Sequence, residues 1–540
     1  MSVGRSSLVL ASGTVVSRIL GFINAVVLAR TVGLVGSGAD AFALANQLPN
    51  NIYAIVAGGV LSAVLVPHIV KSGLNSDGGE KYINKLLTLG ISVFAVIALL
   101  ATIAAPLWVG LYAQQSSGAG ELGFSEADIR LAVAFAWWCL PQVFFYAIYS
   151  LLGELLNAKG LFGPFTWAPV LNNIVAIGGM LWLGGAFSGA VTSAADWGSI
   201  EIAILAGSAT AGVATQALIL FIFLGRAGIQ FRPDFRFRGV GLGDTGRAAT
   251  WTLGMILVTQ LAGLLQSNIA SLATTNGDPG LAVLRFGWLI FMLPHSVITV
   301  SLGTAYFTRM SHSAQHENWT ALSDDIRESI SRVGFFIVAS SAIIWTVAPD
   351  IAAIFSRNEF NALSRVVQAF VVGLIAYSTI FIFQRVFYAL GDTRTPFWIQ
   401  LGSSSLYAIV ISVGSPLVPL PQLAEFLALT LSGTIWAQAI ALAIVLHRRI
   451  GSLFDHTELR AFTVYLVSMV PTAVAGWLLH PIAGEILARA GIRWEIANVL
   501  SAGITTVVMT AIYLGVVFAL KDPTARAILA PLRNRGNNRA

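Results

Sequence analysis

Apolar residues in this chain do not alternate with polar ones; they run. Mostly apolar windows recur from end to end, separated by short polar or Gly/Pro-rich breaks. Each is about 20 residues long, the length a helix needs to cross the ~30 Å hydrocarbon core of a bilayer. About fourteen spans are expected, near 8–30, 41–70, 86–112, 130–156, 165–187, 200–225, 249–273, 281–308, 333–355, 366–390, 397–416, 424–446, 461–482 and 496–520. Strands of a membrane barrel would alternate apolar and polar at every second residue, which these runs do not. The expected fold is therefore all-α, a polytopic membrane protein with helices as its only spanning elements.

Composition agrees and narrows the classes. Of 540 residues, 56% are hydrophobic and 10% charged, against about 25% charged in soluble domains. A single cysteine, Cys139, sits within a span and excludes a disulfide framework. The net charge of +6 matters through its placement. With an internal N-terminus, 22 of the 31 Lys and Arg fall in inner segments and 6 in outer ones. The positive-inside rule then places both termini in the cytoplasm and makes the number of spans even. The first apolar run leads into Arg18 without a small-residue cleavage site, so it is read as a span and not as a cleaved signal.

A weak internal repeat divides the spans. Leu48-Pro49 followed by Gly59 has a counterpart in Leu293-Pro294 followed by Gly303. Ala158-Lys159-Gly160 with re-entry at Pro164-Phe165 matches Ala389-Leu390-Gly391 with re-entry at Pro396-Phe397. Both pairs run the same way across the membrane, as in transporters whose two bundles rock about a shared site. The expected organisation is an N-terminal lobe over 1–228, a basic cytoplasmic linker over 229–248 and a C-terminal lobe over 249–450. An extra helix pair follows over 451–520, then a basic tail over 521–540. The linker's Phe231-Arg232-Pro233-Asp234-Phe235-Arg236 reads as an interfacial segment against anionic headgroups, and nucleic-acid binding is the lesser reading.

Enzymatic constellations are scarce. The histidines are scattered, His312/His316 alone having i,i+4 spacing; no metal site, Walker-type phosphate loop or paired outer carboxylates are expected. The informative groups are polar residues inside spans. Arg18 lies mid-helix, where an arginine costs about 2.5–3.5 kcal/mol to insert, so it should face a polar cavity or an ion-pair partner such as Asp40. Ser17, Asn24, Asn50, Gln260, Gln266 and Arg285 extend the polar set. Pro49 and Pro294 should bend or break their helices and free carbonyls. Carboxylates are nearly absent from mid-membrane, which suits an anionic ligand better than a cationic drug.

The series Ser17-Arg18-Ile19-Leu20-Gly21-Phe22, Ala29-Arg30, Ala39-Asp40-Ala41-Phe42, Leu48-Pro49-Asn50, Gly59, Ser62 and Val66-Pro67 resembles the opening of the MurJ (MviN) family. Its members are lipid II flippases within the multidrug/oligosaccharidyl-lipid/polysaccharide exporter superfamily. The resemblance implies twelve helices in two pseudo-symmetric lobes plus two C-terminal helices forming a groove for the lipid tail. It implies that Arg18 is a cavity arginine and Asp40 an aspartate near the outer gate. Arg30, Pro49, Ser62 and Pro294 are the remaining gate or hinge candidates. The chain departs from the family at Asn24, Tyr53-Ala54 and Leu289, which stand where arginines are usual, and at Gly58, which stands for a glutamate. Arg285, one turn before Leu289, is a candidate to compensate. These substitutions, with 26 Arg against 5 Lys, resemble actinobacterial members.

The implied function is transport, not catalysis. An undecaprenyl-pyrophosphate-linked peptidoglycan precursor would cross the bacterial cytoplasmic membrane by alternating access, its pyrophosphate paired by Arg18. The expected partners are lipid II, membrane lipids and cell-wall synthesis or division proteins. No cofactor is expected, and coupling to an ion or to the membrane potential stays open. The alternatives are a flippase for another polyprenyl-linked glycan, a drug exporter of the same superfamily, and an inert scaffold for cell-wall synthases.

Overall fold

The computed structural model describes residues 3–72, 80–116, 122–186, 197–236, 246–451 and 456–522. Among them, extended pairing is limited to an isolated bridge between Gln115 and Phe124; all other regular structure is helical. Among the described residues, twelve helices are long and apolar enough to cross a membrane, and thirteen if the bent pair Phe360–Val371 and Leu374–Ala389, angled at 43°, is one span. The expected second span, 41–70, falls on a helix whose side chains are described only as far as Val56.

Packing separates two compact units, Met1–Ala282 and Val283–Ala540. The first contains α1 (Val3–Val32), α2 (Ser37–Ser72), α3 (Glu80–Ile103), α4 (Ala105–Tyr112), α5 (Glu126–Cys139), α6 (Gln142–Ala158), α7 (Phe162–Ala186), α8 (Ser199–Leu218) and α9 (Gly246–Ala270). The seventh expected span, α9, packs on α2 and α4 and so lies within this unit. Basic charge places a boundary in the linker before α9, whereas packing places one after it.

The core of the first unit follows from helical periodicity. Ile83, Leu86, Leu87 and Phe94 share one face of α3 and meet Ala147, Ile148, Leu151, Leu152 and Leu155 of α6. Cys139, the last residue of α5, is buried as well. Helices α7 and α8 approach closely through small residues, as membrane helices do. A Cβ on Gly212 would stand 2.7 Å from the backbone oxygen of Asn172. Part of the basic linker is docked on α3. The Asn84 amide donates to the Gln230 carbonyl (3.1 Å) and accepts from the Arg232 N–H (3.1 Å), while the Thr88 hydroxyl accepts from the Asp234 N–H (2.9 Å). The rest of that linker, 237–245, lies outside the described residues.

Helix α10 (Leu281–Pro294) carries the chain into the second unit. There follow α11 (Val300–Gln315), α12 (Trp319–Phe355), α13 (Phe360–Val371), α14 (Leu374–Ala389), α15 (Arg394–Gly414), α16 (Leu420–Ile450), α17 (His456–Arg489) and α18 (Trp494–Ala519). The last two form an antiparallel hairpin packed on α12, with Phe335, Val338, Tyr465, Tyr513 and Val517 at its centre. At the other end of α11, Arg309 pairs with Asp325 (2.6 Å) and lies over the Tyr306 ring (5.3 Å), tying α11 to α12.

The two turns matched in the sequence are built alike. Gly160 and Gly391 both take left-handed φ, +74° and +73°. Leu161 N–H returns to the Leu156 carbonyl (2.8 Å) and Asp392 N–H to the Phe387 carbonyl (2.9 Å), closing each helix with the same six-to-one bond. In the second turn, Arg449 of α16 adds an ion pair to Asp392 at 2.7 Å. Burial pushes the Asp392 carboxyl up, but bonds from the Thr395 side chain and backbone and the Arg449 charge outweigh it, leaving a net lowered pKa.

Gly212→Val should lower the stability of the detergent-solubilised protein by about 1–3 kcal/mol in thermal unfolding. Gly402→Ala, with nothing within 4 Å of the added carbon, should be nearly neutral. Because the Asp392 carboxyl is depressed in the fold, its contribution is present above the unfolded value near ~3.9 and is lost as pH falls through the folded one. The stability gap between wild type and Asp392→Asn should therefore close on acidification; a gap that persists would refute the tie.

Candidate functional site

The polar residues of the first unit sort into those that lock helices together and those left open. Asn24 belongs to the first kind. Its amide donates to Asn173 Oδ1 of α7 at 3.1 Å, and Asn173 in turn donates to the Ser17 and Pro169 carbonyls at 3.3 and 3.1 Å. The Pro169 contact is an i to i−4 bond within α7, whereas the carbonyl that Pro169 leaves unpaired, that of Phe165, accepts from the Tyr149 hydroxyl at 2.9 Å. The Asn24 side chain is thus a strut between α1 and α7. Ser17, partly buried, contributes its backbone to the same strut.

Arg18 is of the second kind. Its side chain is exposed on α1, and among the described residues it makes no ion pair or hydrogen bond. Asp40, weighed from sequence as its partner, is engaged elsewhere. It is fully buried in the first turn of α2. Thr274 donates its hydroxyl to Asp40 Oδ2 at 2.6 Å, and the Ala282 N–H donates to Oδ1 at 2.8 Å. A carboxylate receiving the N–H groups of a first helical turn is a strong cap. Asp40 therefore pins the last residues of the first unit, where α10 begins.

On α2, Asn50 and Gln47 are exposed, whereas Asn51 is buried. Pro49 is buried, and α2 continues as helix through it. Gln260 and Gln266 of α9 are partly buried. Among the described residues, no hydrogen bond joins Arg18 to Asn50, Gln260 or Gln266. Arg30 is exposed in the last turn of α1, where a cation complements the helix carbonyls. The side chain of Ser62 lies outside the described residues. Arg285, partly buried, and Pro294 belong to the second unit. Pro294 ends α10 and is followed by a five-residue π turn, His295–Thr299, before α11.

Sequence reading missed a second polar knot. Fully buried Gln142 donates to Thr210 Oγ1 (2.9 Å), accepts from Tyr146 OH (3.2 Å) and lies 3.4 Å from Asn46 Oδ1. It joins α2, α6 and α8. Gln142 and Thr210 stand inside expected spans, the same signal that singled out Gln260. Arg385 lies between the Phe307 and Phe381 rings at 5.3 and 4.8 Å. His312 and His316 stack at 4.2 Å, and among the described residues no cluster of three metal-ligating side chains occurs.

Removing the Asp40 carboxylate strands a buried hydroxyl and a helix N–H. Asp40→Ala should cost about 2–4 kcal/mol of stability and Asp40→Asn less, since the amide still accepts one bond. Thr274→Val should cost about 1 kcal/mol. Equal stability of all three variants and wild type would remove the clamp.

Comparison with known proteins places the chain. The family model described as "Lipid II flippase MurJ" matches residues 28–485. A probable lipid II flippase MurJ of Haemophilus influenzae is 25% identical over 87% of this chain and 91% of its own length. That of Rhizobium tropici is 24% identical over 95% and 91%. Among solved structures, a lipid II flippase MurJ in an inward closed conformation shares the fold with a TM-score of 0.68 at 17% identity, over 94% of this chain and 98% of that one. An inward-facing MATE transporter of the MOP superfamily follows with a TM-score of 0.62 at 16% identity, over 83% and 98%. With its model matched over most of the sequence, this chain belongs to the MurJ lipid II flippase family.

Proposed function

We propose that this protein is a lipid II flippase of the bacterial cytoplasmic membrane. It carries the undecaprenyl-pyrophosphate-linked disaccharide-pentapeptide from the inner to the outer leaflet by alternating access, making and breaking no covalent bond. Family membership over residues 28–485 carries this reading. Arg18 supports it from the chain's own chemistry. An uncompensated guanidinium on an apolar helix is costly to insert, and a pyrophosphate offers the paired oxygens a guanidinium binds in two-point fashion.

The neutral groups supplement that charge. Asn50, Gln260 and Gln266 would donate to the sugar and peptide of the headgroup, with Ser17 beside Arg18. Asn24, committed to Asn173, would act by holding α1 in place. Arg285 would supply a second positive charge. Arg30, Asp40, Pro49, Ser62 and Pro294 would serve the gates and bends. The lobe boundaries at 1–228 and 249–450, the linker at 229–248, the separate helix pair at 451–520, the basic tail at 521–540 and cytoplasmic termini complete the proposal.

Translocation of labelled lipid II in proteoliposomes tests it, against a polyprenyl-linked glycan lacking the peptide. Wild type should move lipid II in preference. Arg18→Ala should lose about 10–100-fold in transport, the value of one charge-assisted contact, at unchanged protein level and thermal stability. Equal transport of the glycan would favour a flippase of other substrate. No transport of either, with loss of growth confined to loop or tail deletions, would favour a scaffold.

A further inference from the structure

The polar knot at Gln142 continues through the first unit as a file. Beyond Gln142, α6 carries Tyr146, Ser150 and Glu154 at successive four-residue steps, a row that stays on one side of a helix. Helix α2 runs beside it in the same direction. Asn46 stands 3.4 Å from Gln142, and seven residues on, the Tyr53 ring lies 5.9 Å from that of Tyr146. The Tyr53 hydroxyl meets the Ser150 hydroxyl and lies in the field of the Glu154 carboxylate. Tyr149, on the adjoining face of α6, is committed to the Phe165 carbonyl.

The first members of the file satisfy one another, Tyr146 donating to Gln142 and Gln142 to Thr210. Glu154 is different. Among the described residues it makes no hydrogen bond or ion pair, although it is half-buried and lies within the membrane-crossing length Glu126–Ala158. Helices α6 and α8 contain no Lys or Arg, and neither does α2 as far as Val56. A carboxylate so placed without a counter-charge is unfavourable, and inside a span it marks a site that waits for a cationic ligand.

We propose that Glu154, Ser150 and Tyr53 form a subsite for an ammonium group borne by the peptide of the translocated headgroup; the proposal rests on the reading of this chain as a lipid II flippase. An ammonium has three N–H donors and no acceptor. The carboxylate supplies the charge and one acceptor, and the Ser150 and Tyr53 hydroxyl oxygens offer two more. The faces of the Tyr53 and Tyr146 rings attract a cation as well. Glu154 repels the pyrophosphate, which is left to Arg18, so the two residues sort opposite charges of one ligand.

Translocation by the full chain in proteoliposomes tests this, with lipid II labelled on its sugar and carrying a lysine in its peptide. Wild type should carry the free-amine and Nε-methyl forms at similar rates and the Nε-acetyl form about tenfold more slowly, since only acetylation removes the charge. Glu154→Gln should bring the three rates together, and Ser150→Ala should narrow the gap. If Glu154→Gln does not reach the membrane, the wild-type pattern and Ser150→Ala decide. The subsite falls, with the flippase reading intact, if wild type carries all three forms alike or slows the methyl form as much as the acetyl form. It falls equally if the variants keep the full gap. Transport of none of the three forms by wild type overturns both.

Discussion

A peptide group inside hydrocarbon has no water to bond, and each unpaired N–H or C=O there costs several kcal/mol. That constraint dictates helix at each apolar run of this chain and permits interruption only where other partners step in. The π turn after Pro294 is such a place. The same rule governs side chains. Asn24 with Asn173, Gln142 with Thr210, and Ser432 with the Ala369 carbonyl satisfy one another across helices. Against that background, an exposed arginine without an ion pair stands out.

Membership of the flippase family and likeness to MATE structures share a fold without fixing a site. The chemistry proposed for this chain rests on fewer positive charges than the resemblance leads one to expect. Asn24 shows how a lost charge can be absorbed: an amide at that position bonds α7, which a guanidinium would have to forgo in order to face a ligand. In the proposed function the polar set is thereby divided between positioning and binding, with Arg18 carrying charge to the ligand.

The helices were legible because continuous apolar runs have one stable answer in a membrane. The paired turns at Gly160 and Gly391 were legible because a left-handed helix end demands glycine. The compact division after Ala282 was not, since the charge of the linker and the packing of α9 mark different places. Arg18 was visible through its cost inside a span and through resemblance. Asp40 was visible through resemblance, but its partners Thr274 and Ala282 lie more than 230 positions away, and no local pattern encodes such a bond. Gln142 carried the ordinary signal of a polar residue inside a span, and its partners became apparent only with the helices placed.

The docked linker has an evolutionary consequence. Asn84 and Thr88 grip residues 230, 232 and 234 entirely by main chain, one carbonyl and two N–H groups. Such a grip is indifferent to side-chain identity, so the linker can exchange its arginines without losing these bonds, whereas Phe231 also packs against the core shared by α3 and α6 and is not free to change. Proline is the forbidden replacement at 232 and 234, where it would delete the N–H being held. At 233, between the two contacts, a proline already stands.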